Sequence, residues 1–183
     1  MAWRYTIVLV TALLAGCGFQ LRGASLAETE LNIAVVSGIS TPSTAYADFL
    51  RTVKNEVARA GGVQDGAADV TLQIQGFAFE VEDGAVDAQV RVVEKIARVI
   101  VEVAVLDAAG AALAEPWIIE LSQSFRTDRT QLLGSFGQQA QVQQALYQIA
   151  AKRVLRSLDV LIRMQAVDDR NGAAIAGSGP DAG

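Results

Sequence analysis

Cys17 is the only cysteine in a chain of 183 residues, and there is no histidine. One thiol cannot close an internal disulfide or build a thiolate cage for zinc or an iron–sulfur cluster. With no imidazole there is no Ser-His-Asp triad, no Cys-His pair and no histidine metal ligand. What a lone thiol can do is carry an acyl group, and its setting suits that chemistry. It follows Leu14-Ala15-Gly16, at the end of an apolar run from Tyr5 to Ala15 with Arg4 as the only charge before it. That run is far shorter than the ~20 residues of a bilayer span. A positive start, a short apolar stretch and small residues at its end form a secretory signal. Small residues just before the cut admit the chain to a peptidase, and a thiol at the next position accepts diacylglycerol. Residues 1–16 thus read as a lipoprotein signal, with Cys17 bearing diacylglycerol and an N-acyl chain. The alternative is an ordinary signal followed by a buried cysteine. The four-residue box, its distance from Met1 and the lack of other cysteines favour lipidation. Several acyl chains, at ~0.8 kcal/mol per buried methylene, anchor a domain stably. Gly18, standing where an inner-membrane lipoprotein often has aspartate, points to the outer membrane.

Other reactive groupings are sparse. The glycines form neither a G-x-x-x-x-G-K-[ST] nor a G-x-G-x-x-G loop, so no phosphate cradle is expected. The acidic pairs Glu80/Glu82 and Asp168/Asp169 fall beside a turn and in the tail, not in a cleft that would separate their pKa values. Ser122, Ser124 and Ser135 lack a nearby base. A net charge of −5 argues against nucleic acid as a partner. The expectation is a binding or structural protein, not an enzyme, with no metal and no cofactor beyond its acyl chains.

Two groups of residues are suited to recognition. Arg91, Lys95 and Arg98, with Arg126 and Arg129 further on, could hold an anionic ligand such as a phosphorylated glycolipid. Ordinary ion pairs to Glu94, Glu102 and Asp128 are the alternative. The second group is amide-rich: Gln138, Gln139, Gln141, Gln143, Gln144 and Gln148. Amides enter an interface without the desolvation cost of charges, so this stretch fits docking against a polar wall; a plain solvated helix face is the alternative.

The elements that must position these groups follow from periodicity. Residues 17–29 read as a tether, 30–164 as one domain and 165–183 as a disordered tail. Leu31, Ile33 and Val35 alternate as a strand. Thr41 as N-cap and Pro42 as first helical residue open a helix carrying Tyr46, Phe49, Leu50, Val53 and Val57, closed by Gly61-Gly62. Val70, Leu72 and Ile74 begin a second strand, whose apolar phase slips at Gly76 to Phe77, Phe79 and Val81, the mark of a bulge. Glu82-Asp83-Gly84 reads as a turn, followed by a long strand from about Val90 to Leu106 with Ala97, Val99, Val101, Val103 and Val105 on one face. A turn at Asp107–Gly110 leads to a strand with Trp117, Ile119, Leu121 and Phe125. After a loop at 127–136, a helix beginning near Gly137 buries Val142, Leu146, Ile149, Ala150, Val154, Leu158 and Leu161. The order β-α-β-β-β-α predicts a two-layer α/β (α+β) sandwich: a mixed, mostly antiparallel sheet with two helices on one face.

Cys17-Gly18-Phe19-Gln20-Leu21-Arg22-Gly23 resembles the C-G-F-x-L-R-G opening of the lipopolysaccharide-assembly lipoproteins (LptE, formerly RlpB). Gln20 departs from that family, where histidine is frequent. The segment K-I-A-R-V-I-V-E-V-A-V-L-D-A-A-G (95–110), the strand S-Q-S-F-R-T-D (122–128) and the Gln-rich helix ending V-L-R-S-L (154–158) are also similar. The opening motif is the specific part. The resemblance implies an outer-membrane lipoprotein that plugs the large β-barrel lipopolysaccharide translocon (LptD), helps it assemble and assists delivery of lipopolysaccharide to the surface. It also implies lipopolysaccharide binding through basic residues, with Arg91, Lys95, Arg98 and Arg126 as candidates. A barrel interior is polar, which suits Gln138, Gln141, Gln144 and Gln148 as barrel-facing residues. Two other roles fit a lipidated, non-catalytic domain: an auxiliary lipoprotein of a lipid-transporting ABC system, or an activator of a cell-wall synthase.

Overall fold

A computed structural model describes residues 32–62, 67–86, 88, 92–126 and 132–176. Within them the chain runs β1 (Ile33–Ser37), α1 (Thr44–Arg59), β2 (Val70–Val86), β3 (Val92–Asp107), β4 (Trp117–Arg126) and α2 (Leu132–Ala176). The strands lie in the order β1-β2-β3-β4, with β1 parallel to β2 and the other two pairs antiparallel. A parallel pair needs a crossover, and α1 supplies it. The antiparallel pairs are joined by short connections, so they need none. This four-stranded mixed sheet with two helices is the α+β architecture expected from the sequence. The lipidation signal, Cys17, the tether and Arg91 lie outside the described residues.

Period-two alternation decides which side of the sheet is covered. Ile33, Leu72, Ile74, Val99, Val101, Val103 and Val105 are completely buried under the helices. Each such side chain contributes about 1.5–3 kcal/mol relative to exposure. α1 packs over β1 and β2, α2 over β3 and β4, and the helices touch each other. Tyr46, Phe49, Val53 and Val57 of α1 meet Leu146, Tyr147, Val154 and Leu158 of α2 in one continuous core.

Gly76 marks the expected bulge: the β2–β3 register shifts between Ile74 and Gly76. A Cβ at this glycine would stand 3.1 Å from that of Glu102. The slip keeps Phe77 and Phe79 on the core side, where they form an aromatic cluster with Phe49 and Tyr147. The Gly61-Gly62 closure of α1 also forms as expected: Gly61, at φ 88°, donates to Ala58 O, and Gly62 donates to Val57 O. At the β3–β4 connection Asp107 Oδ1 accepts from the amides of Ala109 and Ala111.

Four local expectations are corrected. Ser43, not Thr41, is the N-cap of α1; its hydroxyl accepts from Tyr46 N at 3.1 Å. This places Pro42 outside the helix. Glu82-Asp83-Gly84 is not a turn but lies within β2, at a second register shift between Asp83 and Ala85. Turn-forming residues are also those that a bulge accepts, and cross-strand pairing with β3 outweighs them here. The second helix begins at Leu132, inside the expected 127–136 loop, since a helix tolerates Gly134 and Gly137 at about 1 kcal/mol each. It also continues past residue 164 to Ala176, through much of the expected tail. Three of the tail's four glycines lie beyond Ala176, and Ala166, Ala173 and Ala174 favour propagation of a helix already nucleated on the core.

Candidate functional site

The two helices leave a groove of about 490 Å³ between their outer surfaces. Asp48, Arg51 and Asn55 line it from α1, at a spacing of three and four residues that keeps them on one side of the helix. Gln144, Tyr147 and Gln148 line it from α2. Arg51 Nη2 donates to Asp48 Oδ1 at 2.7 Å, and both side chains are solvated, so the pair orients more than it stabilises. At the base of the groove, Gln143 Nε2 donates to the Tyr147 hydroxyl at 3.0 Å. Burial pushes the Tyr147 phenol above its ordinary value, the Gln143 hydrogen bond opposes this, and the nearby Asp48 charge adds to it. The phenol is thus held neutral. A wall of amides, a phenol and one oriented arginine–aspartate pair offers both donors and acceptors to a polar surface. Nothing in it pairs a nucleophile with a base.

The structure divides the amide-rich group. Gln144 and Gln148 line the groove, whereas Gln138 and Gln141 are exposed outside it. The α1 wall was not singled out from the sequence. Asp48, Arg51 and Asn55 form a polar helical stripe, which by itself reads as a solvated surface; only docking of α2 makes it a wall. Tyr147 was missed for a related reason. It is buried at 3% exposure while Ile149, expected in the core, is 49% exposed. The phenol ring is recruited by Phe49, Phe77 and Phe79, each with its centroid within 5.7 Å.

The basic group is divided too. Arg98 and Arg126 point to the uncovered face of the sheet, since Glu94 pairs with Arg126 and shares the parity of Arg98. Lys95 has the opposite parity and forms an ion pair with Asp83 across β2, at 3.6 Å. Arg98 Nε is buried without a hydrogen bond and stands 3.5 Å from Glu120 Oε1. The expected partners Glu94 and Glu102 are therefore not the ones these cations take. Around Arg98 the open face carries Ile96, Ile100 and Glu80 from the neighbouring positions. Arg91 and Cys17 lie outside the described residues.

These surfaces belong to a small α+β domain with an amide-lined groove over its helices and a mixed polar and apolar sheet face beneath. Solved structures share this fold. One is the rare lipoprotein B from Shewanella oneidensis, at 20% identity and a TM-score of 0.59, covering 73% of this chain and 98% of that one. Another is lipoprotein B from Nitrosomonas europaea, at 20% identity and a TM-score of 0.63, covering 80% and 93%. A third is a minor lipoprotein from Acinetobacter baumannii, at 14% identity and a TM-score of 0.57, covering 72% and 92%. At these identities the likeness is one of fold. No family model matches the chain, and no curated protein sequence does so significantly.

Proposed function

We propose that this chain is a non-enzymatic outer-membrane lipoprotein that plugs the β-barrel lipopolysaccharide translocon and helps it assemble and deliver lipopolysaccharide. The reading is carried by one coincidence: the fold of proteins named rare lipoprotein B and lipoprotein B occurs in a chain with a Leu-Ala-Gly-Cys box at residues 14–17. The C-G-F-Q-L-R-G opening at 17–23 narrows the choice to the lipopolysaccharide-assembly type. Cys17 carries the diacylglycerol and N-acyl chain in this reading, and the domain faces the periplasm. The groove wall at Gln144 and Gln148 meets the polar interior of the barrel, since amides dock there at low desolvation cost. In this reading Arg98 and Arg126, which share one face of the sheet, meet the lipopolysaccharide phosphates.

Affinity purification from detergent-extracted membranes, with mass identification of bound proteins, tests this. A large β-barrel should co-purify with the full chain, and depletion should lower surface lipopolysaccharide. Capture of an ABC permease or of a cell-wall synthase, with no barrel, would replace the proposal by one of those roles.

A further inference from the structure

The part of α2 beyond the groove presents a face that the domain does not use. Ile149, Val160, Met164 and Val167 are each about half exposed or more, from 49% to 63%. Arg153, Arg156 and Arg163 are exposed as well. Read together, positions 149, 153, 156, 160, 163 and 167 are spaced alternately by four and three residues. That spacing returns each side chain to one side of a helix with 3.6 residues per turn. The result is a single outward stripe, ~27 Å long, in which Ile149, Val160 and Val167 are interspersed with Arg153, Arg156 and Arg163, with Met164 at its border.

The charges say what this stripe fits. Between residues 149 and 167 the cations are Lys152, Arg153, Arg156 and Arg163, against one carboxylate, Asp159. Asp159 is already taken by Arg163, at 3.0 Å. Among the described residues Lys152, Arg153 and Arg156 have no ion-pair partner. A second copy of this helix along the same seam would set arginine against arginine in a desolvated interface, which is repulsive. A phosphate-bearing bilayer surface accepts both components: phosphates bind the guanidinium forks, and the apolar side chains enter the headgroup–acyl boundary between them. None of the helices among the described residues is long and apolar enough to cross a membrane, so the helix would lie on the surface.

We infer that the outward face of α2 from Ile149 to Val167 docks onto an anionic phospholipid bilayer. It uses the part of the helix beyond the groove and does not depend on the barrel reading, since phospholipid vesicles contain no barrel.

The full chain carrying Cys17→Ala and one new cysteine, Met164→Cys, is labelled with an environment-sensitive fluorophore and mixed with vesicles. A second sample carries the label at Gln141→Cys. On vesicles of equal parts phosphatidylglycerol and phosphatidylcholine, the Met164 label should shift to the blue and resist an aqueous quencher, while the Gln141 label stays accessible. On phosphatidylcholine alone both should be accessible. Replacing Arg153, Arg156 and Arg163 together by glutamine should lower the docked fraction ratio by roughly a hundredfold, at about fivefold per cation near an anionic surface. All three arginines are exposed, so unchanged helicity will show that the fold is kept. Equal accessibility of the two labels on anionic vesicles overturns the inference. So does equal protection of the Met164 label on both compositions, and so does concentration-dependent protection without vesicles, which would assign the face to a second copy.

Discussion

Gln143 and Tyr147, one helical turn apart on α2, join the groove to the core: the Gln143 amide donates to the Tyr147 hydroxyl at 3.0 Å, while the tyrosine ring lies against Phe49 and Phe77. One residue thereby floors the polar groove and fills the aromatic cluster. Removing either role has a separate, measurable consequence.

Tyr147→Phe keeps the ring and deletes the hydroxyl, so it should cost about 1 kcal/mol in urea denaturation. Tyr147→Ala removes the ring and should cost about 3–5 kcal/mol. The pH dependence follows from the raised phenol. The folded state favours the neutral form, so its contribution is complete below the ordinary value of 10.0 and is lost as pH rises through the folded value. Tyr147→Phe should therefore lose less stability than the parent between neutral pH and the alkaline range above 10.0. Parallel stability–pH curves for the two proteins would contradict this.

Ser43→Ala should destabilise the domain by about 1 kcal/mol, because it strips the acceptor from the Tyr46 amide at the start of α1. Thr41→Ala, two residues earlier, should be nearly silent. Thermal denaturation of the two variants side by side distinguishes the observed cap from the one expected from sequence.

Arg98→Ala and Arg126→Ala together should weaken binding of purified lipopolysaccharide by an order of magnitude or so, since each charge-assisted phosphate contact is worth about 1.5–3 kcal/mol before its solvation cost. Lys95→Ala, on the opposite side of the sheet, should leave that binding within about twofold of the parent. The fold should survive in every case, because Arg126 is exposed and the side chains of Lys95 and Arg98 are part-exposed, each in a single weak cross-strand ion pair. Equal losses from Lys95 and from the arginines would show that the sheet face does not select the ligand.

Gln144→Lys with Gln148→Lys brings two charges into the groove wall and should reduce co-purification of the barrel several-fold. Gln138→Lys with Gln141→Lys adds the same charge outside the groove and should have a smaller effect. Unchanged capture by the first pair would remove the groove as the docking surface.

What was readable from the residues is what local chemistry decides. Alternation at Val99, Val101, Val103 and Val105 predicts a strand covered on one face, and all four are buried. The phase slip at Gly76 predicts a bulge because only a displaced register can keep both Ile74 and Phe77 on the core side. Leu14-Ala15-Gly16-Cys17 and the absence of histidine bound the possible chemistry before any fold is known. Tertiary packing decided the rest. Asp83 became a cross-strand partner of Lys95 because pairing with β3 prolonged β2 past residues that otherwise favour a turn. Tyr147 displaced Ile149 from the core because three phenylalanines from two other elements converge on its ring. The separation of Lys95 from Arg98, and of Gln144 from Gln141, depends on which side of the sheet and of α2 the other layer covers. Such choices arise from residues distant in the chain, so no local pattern contains them.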